Sequence, residues 1–372
     1  MSAASQTWHT IANVEEVPSP ALLLYPDRIE ENIRRMIALA DGVSSLRPHV
    51  KTHKLPELVR MQMAQGISRF KTATIAETEM VASCGAAEVL LAYQPVGPNV
   101  RRLLELKRRF PATRLGALVD DPAALRHLAD AFGPANLILD VWLDVDCGMH
   151  RTGIAPGPAA VELYQEMGRL PGINPTGLHA YDGHLHDSDP TLRQRRCEEA
   201  FAPVLQLQRA LTSPGGPGPR LIAAGTPTFP CHARRSGVEC SPGTCVLWDA
   251  GYSTKLPDLD FLHAALVLTR VVSRPGPDRL CLDLGHKAIA SENPHPRVHF
   301  LGHPEAKAVM HSEEHLVIEM PGAARYAVGD CLYGVPWHIC PTVALHAEAV
   351  TVKHGRAEAR WQIRARQRSL TV

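Results

Sequence analysis

The run Arg47-Pro48-His49-Val50-Lys51-Thr52-His53-Lys54 places two lysines, two histidines and an arginine within eight residues. It falls where an early strand gives way to a helix. A parallel strand ending at Lys51 would aim that amine at a ligand site, because function in parallel α/β folds gathers at the C-terminal strand ends. Two readings are open. Lys51 is a surface charge capping the next helix, or it is an amine whose pKa desolvation has lowered, free to attack a carbonyl.

Further along, Ala224-Gly225-Thr226 and Ser241-Pro242-Gly243-Thr244 are two small-residue turns with hydroxyls. Backbone N–H groups and a threonine hydroxyl at such turns suit a phosphate. A phosphate site beside a reactive lysine suggests pyridoxal phosphate, which carries one aldehyde and one phosphate. Arg151 follows the acidic stretch Asp144-Val145-Asp146 and is either the partner of an aspartate or a functional cation. In Trp337-His338-Ile339-Cys340-Pro341, a strand would put His338 and Cys340 on one face, within reach of one divalent ion. Imidazole plus thiolate favours zinc over manganese or magnesium. The alternative is a buried cysteine beside a solvated histidine. His184-Leu185-His186, with Asp182 and Asp187, offers a rival pattern, that of a metal-dependent barrel hydrolase.

These residues need a frame. Short β-type runs at Ala21–Tyr25, Leu46–Lys51, Arg69–Thr74, Glu88–Gln94, Leu115–Asp120, Leu137–Asp146, Gly177–Tyr181 and Arg220–Gly225 alternate with helical stretches such as Pro26–Ala40, Leu55–Gln65, Val100–Phe110 and Ala123–Phe132. Eight βα repeats predict an α/β fold, a (β/α)8 TIM-type barrel over residues 20–255. An open doubly wound sheet is the alternative, but no GxGxxG follows the first strand. After about residue 255 helical periodicity disappears. Phe261–Val272, Arg279–Leu284, Val298–Leu301, His315–Met320, Thr342–Val352 and Ala357–Ala365 read as strands between Pro-, Gly- and His-rich turns. Residues 256–372, with 1–19, are therefore expected to form a C-terminal antiparallel β domain carrying His338 and Cys340.

With 372 residues, 45% hydrophobic and 21% charged, the composition is that of a globular chain. A formal net charge of +1 without a basic block argues against a nucleic-acid partner. No apolar run of about 20 residues spans a bilayer, and residues 1–16 lack the layout of a signal peptide. Nine scattered cysteines without a CxxC pair fit a reducing cytoplasm.

Taken together, these segments resemble one family over nearly the whole chain: the D-threonine aldolase / D-serine dehydratase-like enzymes, fold-type III pyridoxal-phosphate enzymes with an alanine racemase-like barrel. The resemblance rests on residues 47–54, Gly148-Met149-His150-Arg151-Thr152-Gly153, Gly177-Leu178-His179-Ala180-Tyr181-Asp182-Gly183, Ala224-Gly225-Thr226-Pro227, Ser241-Pro242-Gly243-Thr244 and His338-Ile339-Cys340-Pro341-Thr342. It implies that Lys51 carries the cofactor as a Schiff base, that Arg151 faces the pyridine nitrogen, and that Tyr181 sits against the ring. It implies that Gly225, Thr226, Gly243 and Thr244 bind the phosphate, and that His338 and Cys340 bind the divalent metal. His53 and His179 become candidate proton carriers by position. A small D-amino acid is the implied substrate, and a homodimer the implied assembly, with the site between the barrel mouth and a β domain. Aldolases of the family typically carry His-x-Asp at the metal position and the dehydratases His-x-Cys. Cys340 therefore leaves both reactions open: retro-aldol cleavage of D-threonine-type substrates to glycine and an aldehyde, or dehydration of D-serine or D-3-hydroxyaspartate. A non-catalytic carrier of the cofactor would lack the second domain, and an alanine racemase would lack the metal pair.

Overall fold

The computed structural model describes residues 7–372. The chain divides into two compact units: residues 35–51, 56–243 and 364–372 in one, and residues 7–34, 52–55 and 244–363 in the other. Against the expected 20–255 and 1–19 plus 256–372, residues 20–34, 52–55 and 244–255 fall in the second unit and 364–372 in the first. Residues 1–6 of the predicted β-domain segment lie outside the described residues.

The first unit is built on seven parallel strands, Arg69–Thr72, Glu88–Leu91, Arg114–Val119, Leu139–Val145, Ile173–Ala180, Arg220–Ala223 and Val238–Cys240, adjacent in space in chain order. Helices such as Pro56–Ala64, Pro98–Arg109 and Pro122–Phe132 make the crossovers. Several open on proline, whose missing N–H costs nothing at a first helical position. Asp121 caps the last of these through the Ala124 N–H at 2.9 Å. Residues 46–49 then bridge the two outer strands. Leu46 pairs with Cys240 and His49 with Lys71, both in parallel. The bonds are Arg47 N–H to Cys240 O (2.8 Å) and Lys71 N–H to Pro48 O (2.9 Å). The expected (β/α)8 barrel is thus present, with an irregular eighth stave.

Two of the expected barrel strands are corrected. Ala21–Leu24 does not belong to the barrel but to the sheet of the second unit. Its four apolar residues are all buried, a pattern that a barrel strand and a central sheet strand share. Leu46–Lys51 is not a continuous strand, because Pro48 cannot donate to the ladder and residues Val50–Thr52 turn into a 3₁₀ helix. The strand Val238–Cys240 went unpredicted. It is three residues long with a glutamate at its centre.

That glutamate belongs to a charged cluster at the N-terminal ends of the strands. Arg47, 1% exposed, places Nε 2.7 Å from Glu239 and Nη2 2.7 Å from Glu88. Arg220 and Arg69 bond to Glu239 as well. The network clamps the irregular stave to four regular strands, those of Arg69, Glu88, Arg220 and Glu239. Replacing Arg47 with methionine removes the buried cation that Glu239 and Glu88 share and leaves them only the partly exposed arginines Arg220 and Arg69. It is expected to cost about 3 kcal/mol in urea unfolding, the low end for a broken buried pair, and a loss under about 1 kcal/mol would deny the clamp.

The second unit is a nine-stranded sheet. Ala21–Leu24 runs antiparallel to Ala265–Gly276 and parallel to Glu348–Lys353. Its core gathers Val267, Leu280, Leu282, Ile289, Leu316, Ile318 and Leu332. Two strands, Lys307–His311 and Cys331–Pro336, were not predicted. Gly334 hid the second: a Cβ there would lie 2.3 Å from Val298 Cγ2, so the sheet needs glycine where strand propensity argues against it. Conversely, the expected strand Thr342–Val352 begins as a helix, Ile339–Leu345, and only Glu348–Lys353 is extended. Pro341 falls in the first turn, where helices accept proline.

Candidate active site

The chemistry-bearing side chains form a cluster in each unit. In the barrel unit, Lys51 sits in the Val50–Thr52 turn, where its backbone N–H bonds to His49 Nδ1 at 3.3 Å. Its side chain is exposed, not desolvated as the strand reading expected. The desolvated amine is Lys71, 3% exposed, which the sequence reading passed over. Its Nζ lies 3.1 Å from His179 Nε2. His179 Nδ1 lies 2.7 Å from Asp144 Oδ1, and Thr152 donates to the other Asp144 oxygen at 2.8 Å. Burial works against the Asp144 charge, but the bonds from His179 and Thr152 outweigh it and hold this carboxyl below its ordinary range. Burial, then the Lys71 charge, lowers His179, whose ring is neutral with the proton on Nδ1.

Tyr181 follows on the same strand end. Arg151 Cζ stands 5.0 Å and Lys71 Nζ 5.6 Å from its ring centroid. Asp182 anchors this corner, accepting from Thr228 Oγ1 at 2.7 Å and His232 Nε2 at 2.8 Å. Asp182, Cys197 and His232 bring ligand-type atoms together, a grouping with no sequence signal because the three residues lie far apart along the chain. His232 Nε2 meets both Asp182 Oδ2 at 2.8 Å and Cys197 Sγ at 3.1 Å, while its buried Nδ1 has no partner. The rival HxH pattern does not assemble: Asp182 goes to His232, and Asp187 pairs with Arg196 at 2.7 Å.

The small-residue turns meet in the same unit. Gly243 N–H donates to Thr226 Oγ1 at 3.2 Å. Ala224 is held at φ +66°, a strained conformation for a residue with a side chain, of the kind found at ligand clamps. A Cβ on Gly225 would stand 3.0 Å from Tyr181 Cε2, so glycine lets this turn lie against the ring without displacing it. Ser241 Oγ is buried with no hydrogen-bond partner. A buried orphan hydroxyl beside these turns is what a phosphate would satisfy, and the residues fit pyridoxal phosphate on that observation.

In the second unit, Thr244 opens the 3₁₀ turn Thr244–Val246. Its Oγ1 lies 3.7 Å, and Thr52 Oγ1 3.1 Å, from Cys340 Sγ. His338 and Cys340 do not share a strand face. His338 is the extended residue that precedes the helix Ile339–Leu345, and Cys340 lies in its first turn. The cap still brings them together, through a side-chain hydrogen bond. His338 Nδ1 also bonds Glu292 Oε1 at 2.5 Å. Burial opposes a charge on His338, but Cys340 and Glu292 outweigh it and raise the imidazole to about 9. Asp249 receives the Ile339 N–H at 3.1 Å and fixes the start of the helix. A histidine held by a carboxylate and paired with a thiol is a donor set that fits zinc or a neighbouring divalent ion. His53 is fully buried here, its Nδ1 accepting from Leu55 N–H at 3.1 Å while Nε2 has no partner. Burial lowers its pKa to about 3, so it is neutral over the ordinary pH range.

Comparison with known proteins follows the same division. Residues 25–246 match the family model described as alanine racemase, N-terminal domain, and residues 264–352 the putative serine dehydratase domain. The chain is 31% identical over 357 residues to a D-threonine aldolase of an Arthrobacter species, covering 94% of this chain and 93% of the other. It is 28% identical over 365 residues to a 3-hydroxy-D-aspartate aldolase of Paracoccus denitrificans, with coverages of 94% and 92%. Among solved structures, a D-threonine aldolase from Filomicrobium marinum superposes with a TM-score of 0.87 at 29% identity, covering 94% of this chain and 96% of that one.

Proposed function

Because the chain belongs to the family that joins an alanine racemase-type barrel to a serine dehydratase domain, we propose that it is a pyridoxal-phosphate- and divalent-metal-dependent lyase acting on D-3-hydroxy-amino acids. Its reaction is retro-aldol cleavage of D-threonine-type substrates to glycine and an aldehyde. The observation that carries the reading is the barrel cluster itself: Lys51, Tyr181 beneath Arg151, and an orphan Ser241 hydroxyl beside Gly225, Thr226 and Gly243.

Bound there, the cofactor supplies an aldehyde for the substrate amine and a conjugated ring that draws electron density from Cα. Lys51 is the residue that would hold that aldehyde through its amine. Tyr181 packs against the ring. Arg151, a donor without acceptor capacity, would face the ring nitrogen and leave it without a proton of its own. Backbone N–H groups and hydroxyls at Gly225, Thr226, Gly243 and Thr244 bind the phosphate. His338 and Cys340 hold the divalent ion, zinc by the nature of the thiolate, and the ion supplies Lewis acidity at the substrate hydroxyl. His53, neutral and fixed, orients its neighbours. The enzyme works as a homodimer in the cytoplasm. Among the described residues no helix is long and apolar enough to cross a membrane.

A second reading, dehydration of D-serine or D-3-hydroxyaspartate to a keto acid and ammonia, is favoured by Cys340 at the metal position. The products decide. With D-threonine, glycine is expected to accumulate with acetaldehyde. Pyruvate from D-serine without glycine from D-threonine would reverse the assignment.

A further inference from the structure

We propose that Lys71 is the internal proton acceptor of the active site, taking up the proton that Lys51 must release before its amine can attack a carbonyl. This deepens the reading of Lys51 given above and rests on it.

The geometry is that of a terminated chain: Thr152, Asp144, His179, Lys71. Asp144 is ionised and holds the His179 proton on Nδ1. His179 Nε2 is therefore an acceptor, and Lys71 donates one N–H to it. An uncharged Lys71 in this position keeps its lone pair for a proton. It is buried at 3%, with no bulk water to supply or remove that proton freely. Such an amine is costly to keep in a barrel interior where an apolar side chain would pack, and no ion pair with a carboxylate accounts for it.

The charged and titratable groups acting on Lys71 are few. Burial is the largest influence and lowers its pKa; the Lys51 charge lowers it next, Asp144 and Asp182 raise it, and Arg151 lowers it, leaving it at about 7. Other titratable neighbours are Cys240, a thiol raised by burial, His179, a neutral imidazole, and Tyr181, whose ring centroid lies 5.6 Å from Lys71 Nζ. Electrostatic coupling is reciprocal. If the charge on Lys51 repels a proton from Lys71, removal of that charge invites one. The transfer balances: the Lys51 ammonium becomes a neutral amine, Lys71 becomes an ammonium, and the net charge of the cluster is unchanged. Asp144 and Asp182 then face the new charge. Once Lys51 has bonded to an aldehyde carbon with loss of water, the proton stays on Lys71.

Two measurements test this, each on wild type and on the variants K71M and K71Q. Glutamine can still donate to His179 but cannot take up a proton, so it separates packing from proton holding. The first is thermal unfolding of the cofactor-free protein against pH. Folded Lys71 binds its proton less tightly than the unfolded lysine, with an ordinary pKa of 10.5. The unfolded state thus holds more protons above pH 7, and stability rises with pH through that window. The Tm of wild type relative to both variants is expected to climb from pH 7 to 9.5. The second is the rate at which cofactor-free protein captures added pyridoxal phosphate at pH 7, followed by absorbance. Both variants are expected to be slower by about 10²-fold, the low end of proton-transfer catalysis, with the deficit closing as pH rises. Parallel stability curves together with equal capture rates would overturn the role of Lys71. Failure of the functional reading looks different: wild-type protein that captures no pyridoxal phosphate at any pH.

Discussion

Lys51→Ala is expected to reduce turnover by more than about 10³-fold, a loss of about 4 kcal/mol or more in transition-state stabilisation. It should also abolish the absorbance band of the lysine-bound cofactor. The two effects share a cause. On the proposed reading Lys51 supplies the covalent hold on the aldehyde, and alanine has no atom to replace it. The rest of the site stays intact, because Lys51 is exposed and contributes nothing to the barrel core. Phosphate contacts at Gly225, Thr226 and Gly243 would still retain some cofactor as the free aldehyde, so the spectrum shifts before binding is lost. A variant that kept wild-type colour and rate would remove Lys51 from the chemistry. Unfolding by urea should change by less than about 0.5 kcal/mol, the range for surface substitutions, which separates a lost reaction from a lost fold.

Cys340→Ala is expected to lower metal affinity by well over 10²-fold, since it deletes one of the two proposed protein ligands rather than an outer-shell partner, whose loss alone typically costs about 10- to 100-fold. Turnover should fall in proportion at limiting metal, while the cofactor absorbance stays unchanged because Cys340 is not among the residues proposed to hold the cofactor. Wild-type enzyme treated with EDTA should lose activity and regain it with added zinc or manganese. Glu292→Gln gives a graded version of the same test. It keeps the shape of the contact to His338 Nδ1 but removes the carboxylate charge, and it should weaken the ion by about 10-fold. Full activity in EDTA would overturn the metal assignment without touching that of Lys51.

The order of elements in the barrel was legible because apolar runs and helical stripes alternate through it. Its closure was not. Pro48 breaks the ladder in one stave, and Val238–Cys240 is a three-residue strand built around Glu239, whose charge belongs to the Arg47 clamp. Ala21–Leu24 carried a strand signal without an address, since four buried apolar residues suit either sheet. The site was legible where a motif keeps its residues adjacent, as in 47–54, 224–227 and 338–342. It was illegible where residues converge from distant strands. Lys71, His179 and Asp144 come from three different strands, and nothing in the composition of Arg69–Thr72 distinguishes an inward lysine from an outward one. His338 and Cys340 were paired for the wrong geometric reason. Their meeting depends on the cap of a short helix that Pro341 concealed, and on Asp249, some 90 residues earlier, which fixes where that helix begins.

Reduction of the holoenzyme with borohydride, followed by peptide mapping, bears most directly on the whole account. A single pyridoxyl label on the peptide containing Lys51 is the predicted result. A label on Lys71 instead, or a protein that takes none, would contradict it.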